Sequence, residues 1–209
     1  MLLYQEWVLM KIFYCKGDTL SRLWITGYRS YELGIFKDDD PKLKVIDSVL
    51  KTELVQAIID GTDWVISGGQ LGVEQWALRV GTDLKKDYPG EFQTAMMLPF
   101  LEFGSNWNAA NQEKFAKIKS LVDFSAEVSQ KPYTSPEQLR NYQEFMLTHT
   151  DQAILIYDLD NPGKTQYDFD KIKKFAENHP YPYKLITFDD LQAAADEYQE
   201  NLNNGSQDN

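Results

Sequence analysis

The sequence predicts an α/β fold, a doubly wound and mainly parallel sheet flanked by helices on both faces. Three observations lead there. Short runs of Ile, Val, Leu and Trp alternate with longer segments whose apolar residues recur at helical spacing. The junctions between them hold Gly, Pro, Asp and Asn, the residues that cap helices and turn chains. A length of 209 residues, 43% of them hydrophobic, suits one domain with a substantial core.

The first core strand is Leu23-Trp24-Ile25-Thr26, ending at Gly27. Asp40-Pro41 supplies a helix cap and a first-turn proline. Leu43, Ile46, Leu50, Leu54, Ala57 and Ile58 follow on one face, and Gly61 stops the helix. A second strand spans 63–67 and runs into Gly68-Gly69-Gln70-Leu71-Gly72. The stripe Val73, Trp76, Ala77, Val80 and Leu84 then marks another helix. The third strand covers 93–98 and is broken by Pro99. A helix over 106–120 turns Trp107, Phe115 and Ile118 inward, and a short strand over 121–125 follows. Ser135-Pro136 opens a helix to 148, and 153–157 is the most strand-like run of the chain. A helix over 165–178, a strand over 183–188 and a last helix capped by Asp189 complete the alternation. The pattern is Rossmann-like, with one domain over 23–202, an extension over 1–22 and a polar tail over 203–209 that should fray. The extension fits either an added edge strand or a chain whose natural start lies near Leu20.

Cys15 is the sole cysteine, which excludes an intramolecular disulfide and a cysteine-based zinc site and fits a reducing cytoplasm. No run approaches the ~18 apolar residues of a membrane span. His149 and His179 match no metal motif, and no metal or cofactor is expected. The net charge of −11 disfavours a long phosphate backbone but allows a small anion in a local pocket.

In open α/β sheets ligands bind beyond the carboxyl ends of the strands, and each candidate loop lies at such an end. Gly68, Gly69, Gln70 and Gly72 follow a strand and open a helix, where backbone N–H groups and the helix dipole favour phosphate. Their spacing is neither the dinucleotide fingerprint nor the P-loop. Glu74, in the first turn, either stabilises the helix N-terminus or acts in the pocket as the candidate catalytic carboxylate. Gly27, Tyr28 and Arg29 close the first strand, with Arg29 able to fork onto a phosphate. Pro99, Phe100 and Trp107 offer an apolar wall for a base. Asp158 could hold a ribose and Gly163-Lys164 could meet phosphate, although Asp-Asn-Pro-Gly is also ordinary turn composition.

Together, residues 24–36 (WITGYRSYELGIF), 67–74 (SGGQLGVE), Leu98-Pro99-Phe100, Trp107-Asn108 and Tyr157-Asp158 resemble the YpsA family of Gram-positive bacteria. That family belongs to the SLOG superfamily, with the DNA-processing protein DprA and the LOG phosphoribohydrolases as distant relatives. The resemblance implies a pocket for a nucleotide-derived ligand, ADP-ribose- or NAD-related, with Gly68, Gly69 and Gly72 around phosphate and Glu74 beside ribose. It also implies a link with cell division and allows a protein partner.

Three functions compete. A binding or sensing module ranks first, because pocket-forming loops occur without an evident catalytic set. An N-glycosidic hydrolase of nucleoside monophosphates ranks second, with Glu74 assisted by Asp158; the LOG signature Pro-Gly-Gly-x-Gly-Thr-x-x-Glu is absent. Single-stranded DNA binding ranks a distant third, since the charge is acidic and no basic stripe with interleaved aromatics is legible.

Overall fold

A computed structural model describes residues 20–205, without the side chains of 202–205. Of the extension expected over 1–22, residues 1–19 lie outside the described residues and Arg22 already belongs to the first strand; of the tail expected over 203–209, residues 206–209 lie outside them. Six strands form one sheet: β1 (Arg22–Gly27), β2 (Trp64–Ser67), β3 (Gln93–Leu101), β4 (Phe124–Pro132), β5 (Gln152–Ile156) and β6 (Tyr183–Ile186). The order is β4-β3-β2-β1-β5-β6 and every pair is parallel. The helices between and after them are α1 (Pro41–Ile59), α2 (Val73–Leu84), α3 (Ala109–Leu121), α4 (Glu137–His149), α5 (Gln166–Ala176) and α6 (Phe188–Gly205).

Parallel strands need crossovers, and covering both faces makes their central residues apolar throughout. β1 shows this: Leu23, Trp24, Ile25 and Thr26 are all buried. Helices α1, α2 and α3 follow successive strands and pack in sequence, with α6 against α1, whereas α4 and α5 pack on each other. The sheet order reverses between β1 and β5, so connections leave in opposite directions there and open a crevice at the strand ends.

Several boundaries differ from the sequence reading. β3 does not stop at Pro99 but continues to Leu101. Its pairing with β2 ends at Met96, so Pro99 sits where β3 has a neighbour on one side only and a missing N–H breaks no ladder bond with β2. β4 is longer than expected because it follows β3 outward, to Pro132. The helix expected from 106 begins at Ala109, since the Asn108 side chain accepts from Asn111 N at 2.9 Å and ends the loop containing Trp107. At α6 the cap is Thr187 rather than Asp189. Asp190 Oδ2 accepts from Thr187 N at 2.8 Å, a reciprocal capping box. α6 runs to Gly205, three residues into the segment assigned to the tail.

Candidate functional site

A cleft of about 690 Å³ lies at the carboxyl ends of the strands beside the switch between β1 and β5. Of the sequence candidates, Gly27, Arg29, Gly68, Gln70, Glu74, Pro99 and Lys164 line it. Its floor is a hydrogen-bonded set drawn from four elements. Thr26 Oγ1, at the end of β1, lies 3.1 Å from Glu74 Oε1 and 3.0 Å from Asp168 Oδ2. Glu74 Oε2 accepts from Gln70 N at 2.8 Å, and Asp168 Oδ1 accepts from Gln143 Nε2 at 2.6 Å. Glu74 thus ties down the loop before α2 while facing the cleft.

A threonine hydroxyl carries one proton and can donate to only one of the two carboxylates. The second contact is a hydrogen bond only when the other carboxyl is protonated and donates to Thr26 Oγ1, so two carboxyls sharing one proton satisfy the bridge. Electrostatics agree. Burial, then the charge of Asp168, pushes Glu74 up to about 7 against the Gln70 and Thr26 bonds and the charge of Arg29. Burial also raises Asp168 above the usual carboxylate range, opposed by its bonds to Gln143 and Thr26 and by Arg29. The Tyr142 phenol is raised by burial and by both carboxylates, which keeps it a neutral hydroxyl.

The glycines divide their work. A Cβ at Gly68 would collide with Glu74 Oε2 and sit 2.7 Å from the Tyr142 hydroxyl, so only glycine lets those oxygens meet the cleft there. Gly69 is closed over by Phe115 and Leu98 on the α3 side. Gly72 has φ +116° and lies against the backbone of Tyr28, Arg29 and Ser30, joined by a bridge from Arg29. Three N–H groups of the loop are engaged within the protein: Gln70 N is held by Glu74, Leu71 N by the Gln70 side chain at 3.1 Å and Val73 N by Tyr28 O at 3.1 Å.

The remaining candidates stand behind the cleft wall. Tyr28 is buried, stacks on Phe188 with centroids 5.3 Å apart, and its hydroxyl donates to Asn161 O at 2.6 Å and accepts from Asp158 N at 3.0 Å. Asp158 holds the same loop, accepting from Asp160 N at 2.9 Å and Phe188 N at 3.1 Å. Gly163 is pressed against Glu32, whose carboxylate accepts from Lys164 N at 2.7 Å and Arg29 N at 2.8 Å. Phe100 and Trp107 flank Phe103 at 5.3 and 5.4 Å, and Phe103 is the aromatic that reaches the cleft.

Sequence reasoning missed the α4 and α5 contribution: Arg140, Tyr142, Gln143, Thr165, Asp168, Lys171 and Lys174. Positions 164, 168, 171 and 174 have helical spacing, the one signal available, but nothing in it says that this face of α5 turns toward β1. Two buried hydroxyls of the lining, Tyr142 Oη and Thr165 Oγ1, have no hydrogen-bond partner among the described residues.

The YpsA family model, described as the YspA SLOG family, matches residues 23–191. The chain belongs to this family. Relatives include the UPF0398 proteins of Levilactobacillus brevis, 60% identical over 90% of this chain and 99% of that protein, and of Lactiplantibacillus plantarum, 58% identical over 89% and 98%. Among solved structures the chain is similar to DNA processing protein A from Helicobacter pylori in its study of single-stranded DNA binding. The TM-score is 0.49 and the identity 18%, covering 81% of this chain and 68% of that one. No helix among the described residues is long and apolar enough to cross a membrane.

Proposed function

We propose that the chain binds a small nucleotide-derived ligand in the strand-end cleft, with the Glu74–Asp168 pair accepting from sugar hydroxyls and the surrounding cations meeting phosphate. One observation supports this above others. A chain of net charge −11 brings Arg29, Arg140, Lys164, Lys171 and Lys174 to a single cleft floored by a proton-sharing carboxyl pair. Small-molecule sites combine an apolar body with a few placed polar groups. Here Pro99, Phe103 and Leu139 supply the apolar surface. The test is a thermal-shift panel of AMP, ADP, ADP-ribose and NAD on the wild type and Glu74→Ala. Stabilisation of the wild type that is lost in the variant supports the reading. No shift with any nucleotide refutes it.

A second reading, N-glycosidic hydrolysis of a nucleoside monophosphate, is favoured by the raised Glu74 carboxyl beside Asp168, since an acid titrating near neutrality suits proton transfer. Protonated Glu74 would give its proton to the departing base as the C1′–N bond breaks and its electron pair leaves with the base. Water would add to C1′ and pass a proton to Asp168, giving free base and ribose phosphate. This moves the second carboxylate from Asp158 to Asp168. Free base released by the wild type and not by Glu74→Gln supports turnover; its absence leaves binding alone.

A further inference from the structure

We infer that the cleft holds a second anion subsite on its α4–α5 wall, so that its ligand carries two anionic groups, as a nucleoside diphosphate does and a nucleoside monophosphate does not. This rests on the nucleotide reading above and goes beyond it.

Lys171 and Lys174 continue along α5 a cleft-facing stripe that starts just before the helix at Lys164, and Arg140 stands in the first turn of α4, which packs on α5. At 1.5 Å per residue, Lys174 lies about 12 Å along the helix from Gln166. A phosphate held by Arg29 and Lys164 at the strand ends therefore leaves the far half of the stripe unengaged. Elsewhere among the described residues some cations are paired, Arg79 with Asp47, Lys119 with Glu127 and Lys184 with Glu53, and others, such as Lys44, Lys51 and Lys117, stand singly on the surface, whereas the cleft gathers its cations on one wall. Among the described residues, Arg140, Lys171 and Lys174 form no direct ion pair, and of the acids on their wall Asp168 is engaged by Thr26 and Gln143. Asp170 and the single charge of the Glu74–Asp168 pair stand there against three positive charges.

An independent observation points to a ligand at the head of this wall. Thr165 is 3% exposed, lines the cleft, and its hydroxyl has no partner among the described residues. A buried hydroxyl is ordinarily hydrogen-bonded, and a ligand oxygen between Lys164 and Lys171 would complete it. The volume of 690 Å³ lies in the upper part of the ~300–1,000 Å³ range of small-molecule sites.

The experiment is calorimetric titration of AMP, ADP and an oligothymidylate into the full chain and into K171Q/K174Q, both surface changes on a helix. The wild type is expected to bind ADP about tenfold more tightly than AMP, and the variant to lose that preference because its ADP affinity falls far more than its AMP affinity. Equal affinities for AMP and ADP in the wild type, or a variant that weakens both equally, overturn the second subsite and leave the nucleotide reading standing. Binding of neither nucleotide overturns the nucleotide reading itself, and the inference with it. Tight oligothymidylate binding that the variant abolishes assigns the stripe to a single strand and overturns the small-ligand inference.

Discussion

Replacing Glu74 by glutamine removes a carboxyl whose proton the fold retains up to about pH 7. Glutamine mimics the protonated form: its Oε1 can keep the bond from Gln70 N while its amide donates to Thr26 Oγ1. The wild-type carboxyl is raised from 4.5 to about 7. At 1.36 kcal/mol per pH decade this is roughly 3 kcal/mol of folding free energy. The sign follows from which state holds the proton. Between pH 4.5 and 7 the unfolded chain ionises Glu74 while the folded chain retains the proton, so the stability it contributes is complete below 4.5 and lost as pH rises through 7. Asp168, raised in the same direction, adds to the slope. Urea unfolding of both proteins from pH 4.5 to 8.5 measures it. The wild type should fall relative to E74Q by about 3 kcal/mol, or roughly 6–12 °C in Tm for a chain of this size. The difference isolates Glu74 from the general repulsion of an acidic chain. Parallel stability curves for the two proteins would refute the buried, proton-holding carboxyl.

Tyr142→Phe removes a buried hydroxyl that has no partner among the described residues, so the free protein should be unchanged or more stable by up to about 2 kcal/mol in urea, while nucleotide stabilisation in a thermal-shift assay should shrink. Gly68→Ala drives a Cβ onto Glu74 Oε2 and the Tyr142 hydroxyl; an expected cost of about 1–3 kcal/mol should come with loss of nucleotide binding. Gly72→Ala meets the backbone of Tyr28 and Ser30 at 2.5 Å in a conformation that side chains rarely adopt. It should cost roughly 3 kcal/mol or more and lower expression as well as Tm.

The alternation of elements, the burial of Leu23 to Thr26 and the position of the Gly68–Glu74 turn were legible because they are local. A strand buried on both faces must be apolar at every position, and a helix packed on a sheet must repeat its apolar residues every three to four. The pattern also carried enough family identity to place Arg29, Gly68 and Glu74 at the strand ends. Other features depend on neighbours far along the chain. Pro99 reads as a strand breaker in the sequence, which does not say that β2 ends at Ser67, opposite Met96, and frees one edge of β3. The sequence offers Asp158 as a second carboxylate to assist Glu74 in the hydrolase reading, whereas Asp168, ten residues later, lies across Thr26 from it. A carboxylate in a turn after a strand looks like a ligand-holding residue whether its oxygens face a cleft or cap the loop's own N–H groups. The strand order, the face of α5 turned toward β1, and the meeting of Thr26, Glu74, Gln143 and Asp168 were decided by tertiary structure alone. Periodicity says which side of a helix is buried; only the crossover that carries the chain from β4 past β1 to β5 says what that side is buried against.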